Sequence, residues 1–262
     1  MFVALHEAHD EARYGGKAAQ LATALRAGLP VPPGVAFGWD ARPAANTEDL
    51  LAPILPSLGH LVAVRSSAVG EDSADASFAG QHATVLGVRD LPGLMDAIRE
   101  VHASAASGAA YRRKLGLDAE PRMGVVVQAL VRADVAGVLF TRDPVSGADV
   151  RVIEASWGLG ESVVQGLVTP DRYVVARGGR VLAREPGEKD LAIHWSFEGG
   201  LAEVPVAGEL IGALCLDDAR LAALDALATA CETVFGGAQD LEFALAGGRL
   251  SLLQRRAITR GR

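Results

Sequence analysis

DLEFALAGGRLSLLQRRA, Asp240 to Ala257, places acids before a glycine pair and an amide and two adjacent arginines near its end. Two runs of alternating apolar and polar residues flank Ala246-Gly247-Gly248, which predicts two antiparallel strands around a tight turn. Side chains along a strand alternate between faces. Asp240, Glu242 and Ala244 therefore share one side, as do Leu250, Leu252, Gln254 and Arg256. With a three-residue turn at 246–248, even positions meet even positions: Asp240 faces Gln254 and Glu242 lies diagonal to it. The other side carries Leu241, Phe243, Leu245 and Leu253 and reads as a core face. A slip of one residue would set Glu242 against Leu253 and mix the two sides. One face is thus apolar, and the other gathers a carboxylate, an amide oxygen and a guanidinium. Oxygen donors on adjacent strands suit Mg²⁺, with phosphates completing its shell. An arginine two residues on can stabilise charge on a phosphoryl group in transfer. From the hairpin alone, a surface salt bridge on an exposed sheet, at about 0–1 kcal/mol, is the competing account.

The chain has 262 residues, enough for one large domain or two small lobes with a real core. Half of its residues are hydrophobic, yet no run approaches the roughly 18 apolar residues of a membrane span. The start, MFVALHEAHDEARYGGK, lacks the basic and apolar regions of a secretory signal. Net charge is −7 without a dense basic patch, which disfavours nucleic-acid binding by charge. Cys215 and Cys231 form no CxxC and lie in or beside one predicted helix, too far apart to bridge. A reduced, cytoplasmic protein without a zinc site is expected.

The pattern predicts a helix over 17–27 ended by Gly28, then an extended LPVPPG. HLVAVR (60–65) reads as a strand and 66–80 as a loop. Asp90 caps a helix running to about Gly108. MGVVVQALV (123–131) and VAGVLFT (135–141) read as paired strands, VRVIEAS (150–156) as another, and 171–176 with 180–184 as a hairpin. Asp217 caps a long amphipathic helix with Leu221, Leu224, Ala228, Cys231 and Phe235 inward. The segment 36–59 is Pro/Ala-rich and only weakly periodic. Mixed strands and helices give an α+β or α/β class.

Four further features carry polar groups in unusual settings. In YGGKAAQL a Gly-Gly turn delivers Lys17 to a helix N-terminus, where free N–H groups and the dipole favour phosphate; a solvated lysine is the plain alternative. Arg65 closes an apolar strand, where charge is costly unless paired, with a ligand phosphate or with Glu71 or Asp72. Gln128 sits inside an apolar strand, and an unpaired buried amide costs about 1–3 kcal/mol. It must meet a core polar group or a ligand. The glycines of SWGLGESVVQG shape either a site or close packing. P-loop, dinucleotide-binding, GxSxG, HExxH and kinase HRD motifs are absent.

In order, GGKAAQL…AGLPVPPG, VRSSAVGEDSADASFAGQHATVLGV, GVVVQALV…AGVLFTRDPVSG, EASWGLGESVVQGLVTPDRYVV and DLEFAL…LLQRRAIT resemble the ATP-binding domain shared by phosphoenolpyruvate synthase, pyruvate phosphate dikinase and rifampin phosphotransferase. These blocks span about residues 15 to 259. The resemblance implies an α+β, ATP-grasp-type fold of two lobes, approximately 1–118 and 119–262, with largely antiparallel sheets holding ATP and Mg²⁺. By motif, Lys17 and Arg65 match phosphate-contacting residues, and Gly80 and Thr84 the lid over the nucleotide. Gln128 matches the strand beside the adenine. Glu242 and Gln254 match the metal and phosphate ligands, and Arg256 the arginine at the transferring phosphoryl group. Arg256 and Arg65 are the catalytic candidates.

Family members release AMP from ATP and pass the β-phosphoryl to a histidine on a swivelling domain. Swivel phosphohistidine and pyruvate-binding domains are expected to be absent from these residues, which leaves three readings: one subunit of a split enzyme with a separate phosphohistidine swivel-domain protein as partner, a fragment, or a domain reassigned to another acceptor. Two departures stand out: the segment between VPPG and VRSSA is short, and Ala257 replaces the proline of the usual LQxRP ending. A stand-alone kinase of a small molecule, or a regulatory nucleotide-binding module without turnover, are the other readings.

Overall fold

A computed structural model describes residues 2–41, 49, 51–59, 61–70, 83–114, 122–196 and 200–258. They form two compact units: Met1–Arg26 with Pro32–Leu130, and Ala27–Val31 with Val131–Arg262. The class is α+β, and every neighbouring strand pair in the two large sheets is antiparallel.

The first unit is built on β1 (Phe2–Ala4), β2 (Gly34–Phe37), β3 (Val62–Ala68), β4 (Thr84–Val88) and β5 (Met123–Ala129), in the order β1-β2-β5-β3-β4. Val62, Val64, Val125 and Val127 face the helix Leu91–Lys114 through Leu94, Met95, Ile98 and Val101. Each such side chain contributes about 1.5–3 kcal/mol when fully buried. Asp90 caps that helix by accepting from the Gly93 N–H at 2.8 Å, and the helix outlasts its expected end. β3 also continues past Arg65 to Ala68, because Ser66 and Ser67 stay in the ladder with β5. On the opposite face lies α1 (Gly16–Arg26), which buries Ala18, Leu21, Ala22 and Ala24. Gly15, at φ 83°, permits this approach: a Cβ there would stand 1.9 Å from the Ser67 carbonyl oxygen.

The second unit carries β6 (Val135–Phe140), β7 (Val150–Trp157), β8 (Asp171–Ala176), β9 (Val181–Glu185), β12 (Gln239–Ala246) and β13 (Arg249–Ala257), in the order β13-β12-β6-β7-β8-β9. Between them in sequence, β10 (Leu191–Trp195) and β11 (Leu201–Pro205) form a separate hairpin. Leu139, Ile153, Tyr173, Val175, Leu241 and Phe243 are buried on one face of the large sheet. The helix Asp218–Phe235, capped by Asp217 accepting from the Arg220 N–H at 2.8 Å, buries Leu221, Leu224, Ala228 and Cys231. Burial pushes the Cys231 thiol up to about 11. Among the described residues no helix is long and apolar enough to cross a membrane.

The strands over 123–131 and 135–141 are not partners. β5 is paired on both sides by β2 and β3, and β6 on both sides by β12 and β7. The link between them does not reverse as a hairpin: Ala133 N–H bonds the Val131 carbonyl, and Asp134 N–H bonds that of Leu245. Two buried ion clusters were not legible in the sequence. Arg151, wholly buried, bonds Asp225 at 3.0 Å, Glu232 at 2.9 Å and the Thr141 carbonyl at 2.7 Å. Lys189 and Asp171 form a buried pair, and Asp171 also accepts from the backbone N–H groups of Gly187 and Cys215.

Candidate functional site

The closing hairpin turns on two residues, Gly247 and Gly248, not three, with Ala246 opposite Arg249. Both glycines have positive φ, 54° and 79°, as the tight hairpin turn requires. This shorter turn pairs Leu245 with Leu250 and Phe243 with Leu252, so these leucines join the apolar face that even-position parity denied them. Left uninterrupted, the same register would set Glu242 against Leu253. A bulge between Glu242 and Phe243 absorbs one residue, and Glu242 stands directly opposite Gln254. Asp240 then faces Arg256, not Gln254, and Leu241 faces Arg255. Leu253, expected on the core face, instead packs against a small cluster of Ala133, Ala136, Leu159, Ile193 and Ala244.

Directly opposed residues share a face, so Asp240, Glu242, Gln254 and Arg256 lie together. Gln254 is buried, and Glu242 and Arg256 are half-buried. Arg255 belongs to the other face, where its guanidinium lies 4.3 Å from the Phe235 ring centroid and its Nε donates to Gln239 Oε1. The polar row continues across the sheet. Val138 is opposite Glu242, Glu154 opposite Val138, and Arg172 opposite Glu154. Glu154 and Arg172 were not singled out from sequence, although the period-two pattern of VRVIEAS would have put Glu154 on a definite face.

In the first unit, Arg65 is opposite Val126 and Thr84, while Gln128 is opposite Ala63 and Gly34. Arg65, Thr84 and Gln128 therefore lie on one sheet face, the one that α1 covers in part. Lys17 occupies the first turn of α1 but is buried, and its Nζ donates to the Ser66 carbonyl at 2.9 Å. This fixes the ammonium beside β3, one residue from Arg65. The Gln128 amide donates to the Pro32 carbonyl at 3.1 Å, so its burial is satisfied within the unit. Gly80, Glu71 and Asp72 lie outside the described residues.

The donor set fits a hard divalent ion: a carboxylate and an amide oxygen on adjacent strands. Among the described residues no group of three or more His, Cys, Asp or Glu side chains could enclose a metal. Glu242 and Gln254 could supply two oxygens to such an ion.

Residues 45–262 match the pyruvate phosphate dikinase, AMP/ATP-binding domain. The chain belongs to this family. It is 41% identical over 202 residues to a protein named probable phosphoenolpyruvate synthase of Methanothermobacter thermautotrophicus, covering 76% of this chain and 29% of that one. It is 41% identical over 201 residues to the rifampicin phosphotransferase of Streptomyces sviceus, covering 75% and 23%. The phosphotransferase YvkC of Bacillus subtilis is 38% identical over 202 residues, covering 76% and 24%. The match thus spans about a quarter of these relatives' length. Among solved structures, D-alanine–D-alanine ligase of Bacillus anthracis aligns with 95% of this chain and 58% of its own, at a TM-score of 0.48 and 8% identity.

Proposed function

We propose that this chain is the ATP-using part of a dikinase-like phosphotransferase. It binds ATP with Mg²⁺ and donates the β-phosphoryl group to a histidine carried by a separate swivel domain or protein, which passes it to a final acceptor. The observation that carries this reading is the cross-strand pair Glu242–Gln254 with Arg256 on the same face, in a chain of the AMP/ATP-binding family. In this role Glu242 and Gln254 ligate the ion and its phosphates, and Arg256 offsets the charge that builds on the phosphoryl group in transit. Lys17 and Arg65 contact phosphates, with Lys17 held in place by the Ser66 carbonyl. Gly80 and Thr84 belong to the lid, and Gln128 lines the adenine. The acceptor imidazole nitrogen bonds to the β-phosphorus, the bond from that phosphorus to the α-bridging oxygen breaks, and AMP leaves with that oxygen. The γ-phosphoryl is released to water as orthophosphate.

The test is phosphorus NMR of a mixture of the chain, ATP, Mg²⁺ and a histidine-domain protein. AMP, orthophosphate and phosphohistidine are expected. ADP as the sole nucleotide product, or no turnover with any acceptor, would reject the reading.

A further inference from the structure

Glu154 lies in the same cross-strand row as Glu242 and Gln254, with Val138 alone between Glu154 and Glu242. Strands are about 4.8 Å apart, so the two glutamate backbones are roughly 10 Å apart on one face. Glu154 is half-buried, and its carboxylate makes no hydrogen bond or ion pair among the described residues. Its direct cross-strand neighbour Arg172 is instead engaged with Glu185 at 3.2 Å. Two residues along the same face, Ser156 is 1% exposed, and its Oγ has no hydrogen-bond partner among the described residues. A half-buried carboxylate and a buried hydroxyl without partners are costly to keep for structure alone. Ser156, opposite Ala136 in the next polar row, is closed to solvent, so it is the half-buried Glu154 carboxylate that marks a part of the face able to receive a polar group from outside.

Chemistry restricts that group. A carboxylate repels phosphate oxygens, and the phosphate end of a nucleotide offers no hydrogen-bond donor. The donor must come from the group that takes the phosphoryl. We propose that Glu154 is an acceptor-positioning residue: its carboxylate accepts a hydrogen bond from one ring N–H of an imidazole and so leaves the other nitrogen unprotonated for attack. The inference rests on the dikinase reading above. The new N–P bond forms on the unprotonated nitrogen, the P–O bond to the departing nucleotide breaks, and the ring proton stays between imidazole and carboxylate.

The experiment is a titration of the full chain, loaded with Mg-ADP, with ¹⁵N-imidazole at a pH where the ring is neutral. Ring nitrogen shifts and Mg-ADP affinity are both read. The wild type is expected to bind imidazole saturably. Glu154→Ala should weaken that binding tenfold or more while Mg-ADP affinity stays within twofold. Glu154→Gln, which keeps an acceptor oxygen, should recover part of it. Equal imidazole affinity in wild type and Glu154→Ala overturns the proposal, as does the absence of saturable binding in the wild type. A parallel tenfold loss of Mg-ADP affinity in Glu154→Ala overturns it too, by making Glu154 a nucleotide or metal contact. Failure of the wild type to bind Mg-ADP would instead reject the nucleotide reading, and imidazole titration of the unloaded chain would still decide the role of Glu154.

Discussion

Glu242 stands directly opposite Gln254 because Leu253 is an extra residue in its strand. The two-residue turn alone would match Glu242 with Leu253. One bulge restores the polar pairing and leaves Phe243 and Leu252 matched on the apolar face. If the pair holds Mg²⁺, Glu242→Gln should weaken Mg²⁺-dependent ATP binding at least tenfold by calorimetry. Asp190→Asn, an exposed carboxylate on another hairpin, should change it less than twofold. Equal losses would make the hairpin face structural.

The turn itself makes a separate prediction about stability. Gly247 and Gly248 have positive φ, and a Cβ on either would meet nothing within 4 Å. The penalty for alanine is therefore backbone strain without a clash, about 1 kcal/mol for each. Urea denaturation of Gly248→Ala should show that loss. A loss several times larger would mean that the register itself had slipped.

The hairpin shows what alternation can and cannot reveal. Period two separated Arg255 from Glu242, Gln254 and Arg256, and the separation holds. It could not find the bulge, because an inserted residue leaves no compositional mark when it is one more leucine in SLLQ. The assignment of Leu252 and Leu253 was inverted for that reason. The strand pairing of 123–131 with 135–141 failed on a different ground. A short link between two apolar runs resembles a hairpin loop, and which ladder each strand joins is set by partners far away in sequence. Arg151 was illegible because its partners Asp225 and Glu232 lie on a helix some 80 positions later.

That buried arginine has the largest predicted structural effect. Arg151→Ala would strand Asp225 and crowd Glu232 with an uncompensated charge. Removing one partner of such a network costs about 3–5 kcal/mol. Thermal and urea midpoints should fall accordingly, and Arg151→Lys should recover only part, because one ammonium cannot replace the guanidinium's several directed bonds.

Glu232 makes the same network sensitive to acid. Burial alone would raise its carboxyl, but hydrogen bonds from Arg177, Thr141 and Arg151 outweigh burial and hold it below the usual range. Its folded value lies below its unfolded one. The stabilisation is therefore complete above the unfolded value, about 4.3, and is lost as pH falls through the folded value. Wild type should exceed Glu232→Gln in stability at pH 6, and the gap should close as the pH falls below 4. A gap that widens in acid would contradict the network.

The role proposed for Arg256 predicts different effects on binding and on chemistry. It shares the face of Glu242 and Gln254 and is directly opposite Asp240. An arginine whose contact strengthens as charge develops on the moving phosphoryl lowers the barrier more than it tightens the ground state. Arg256→Ala should therefore reduce the rate of phosphohistidine formation by about a hundredfold or more, in line with loss of one transition-state donor. ATP affinity should change by less than fivefold, and Arg256→Lys should recover only part of the rate. Rapid-quench measurement at saturating ATP distinguishes the two effects. A loss confined to ATP affinity would move Arg256 from the transferring phosphoryl group to simple nucleotide binding.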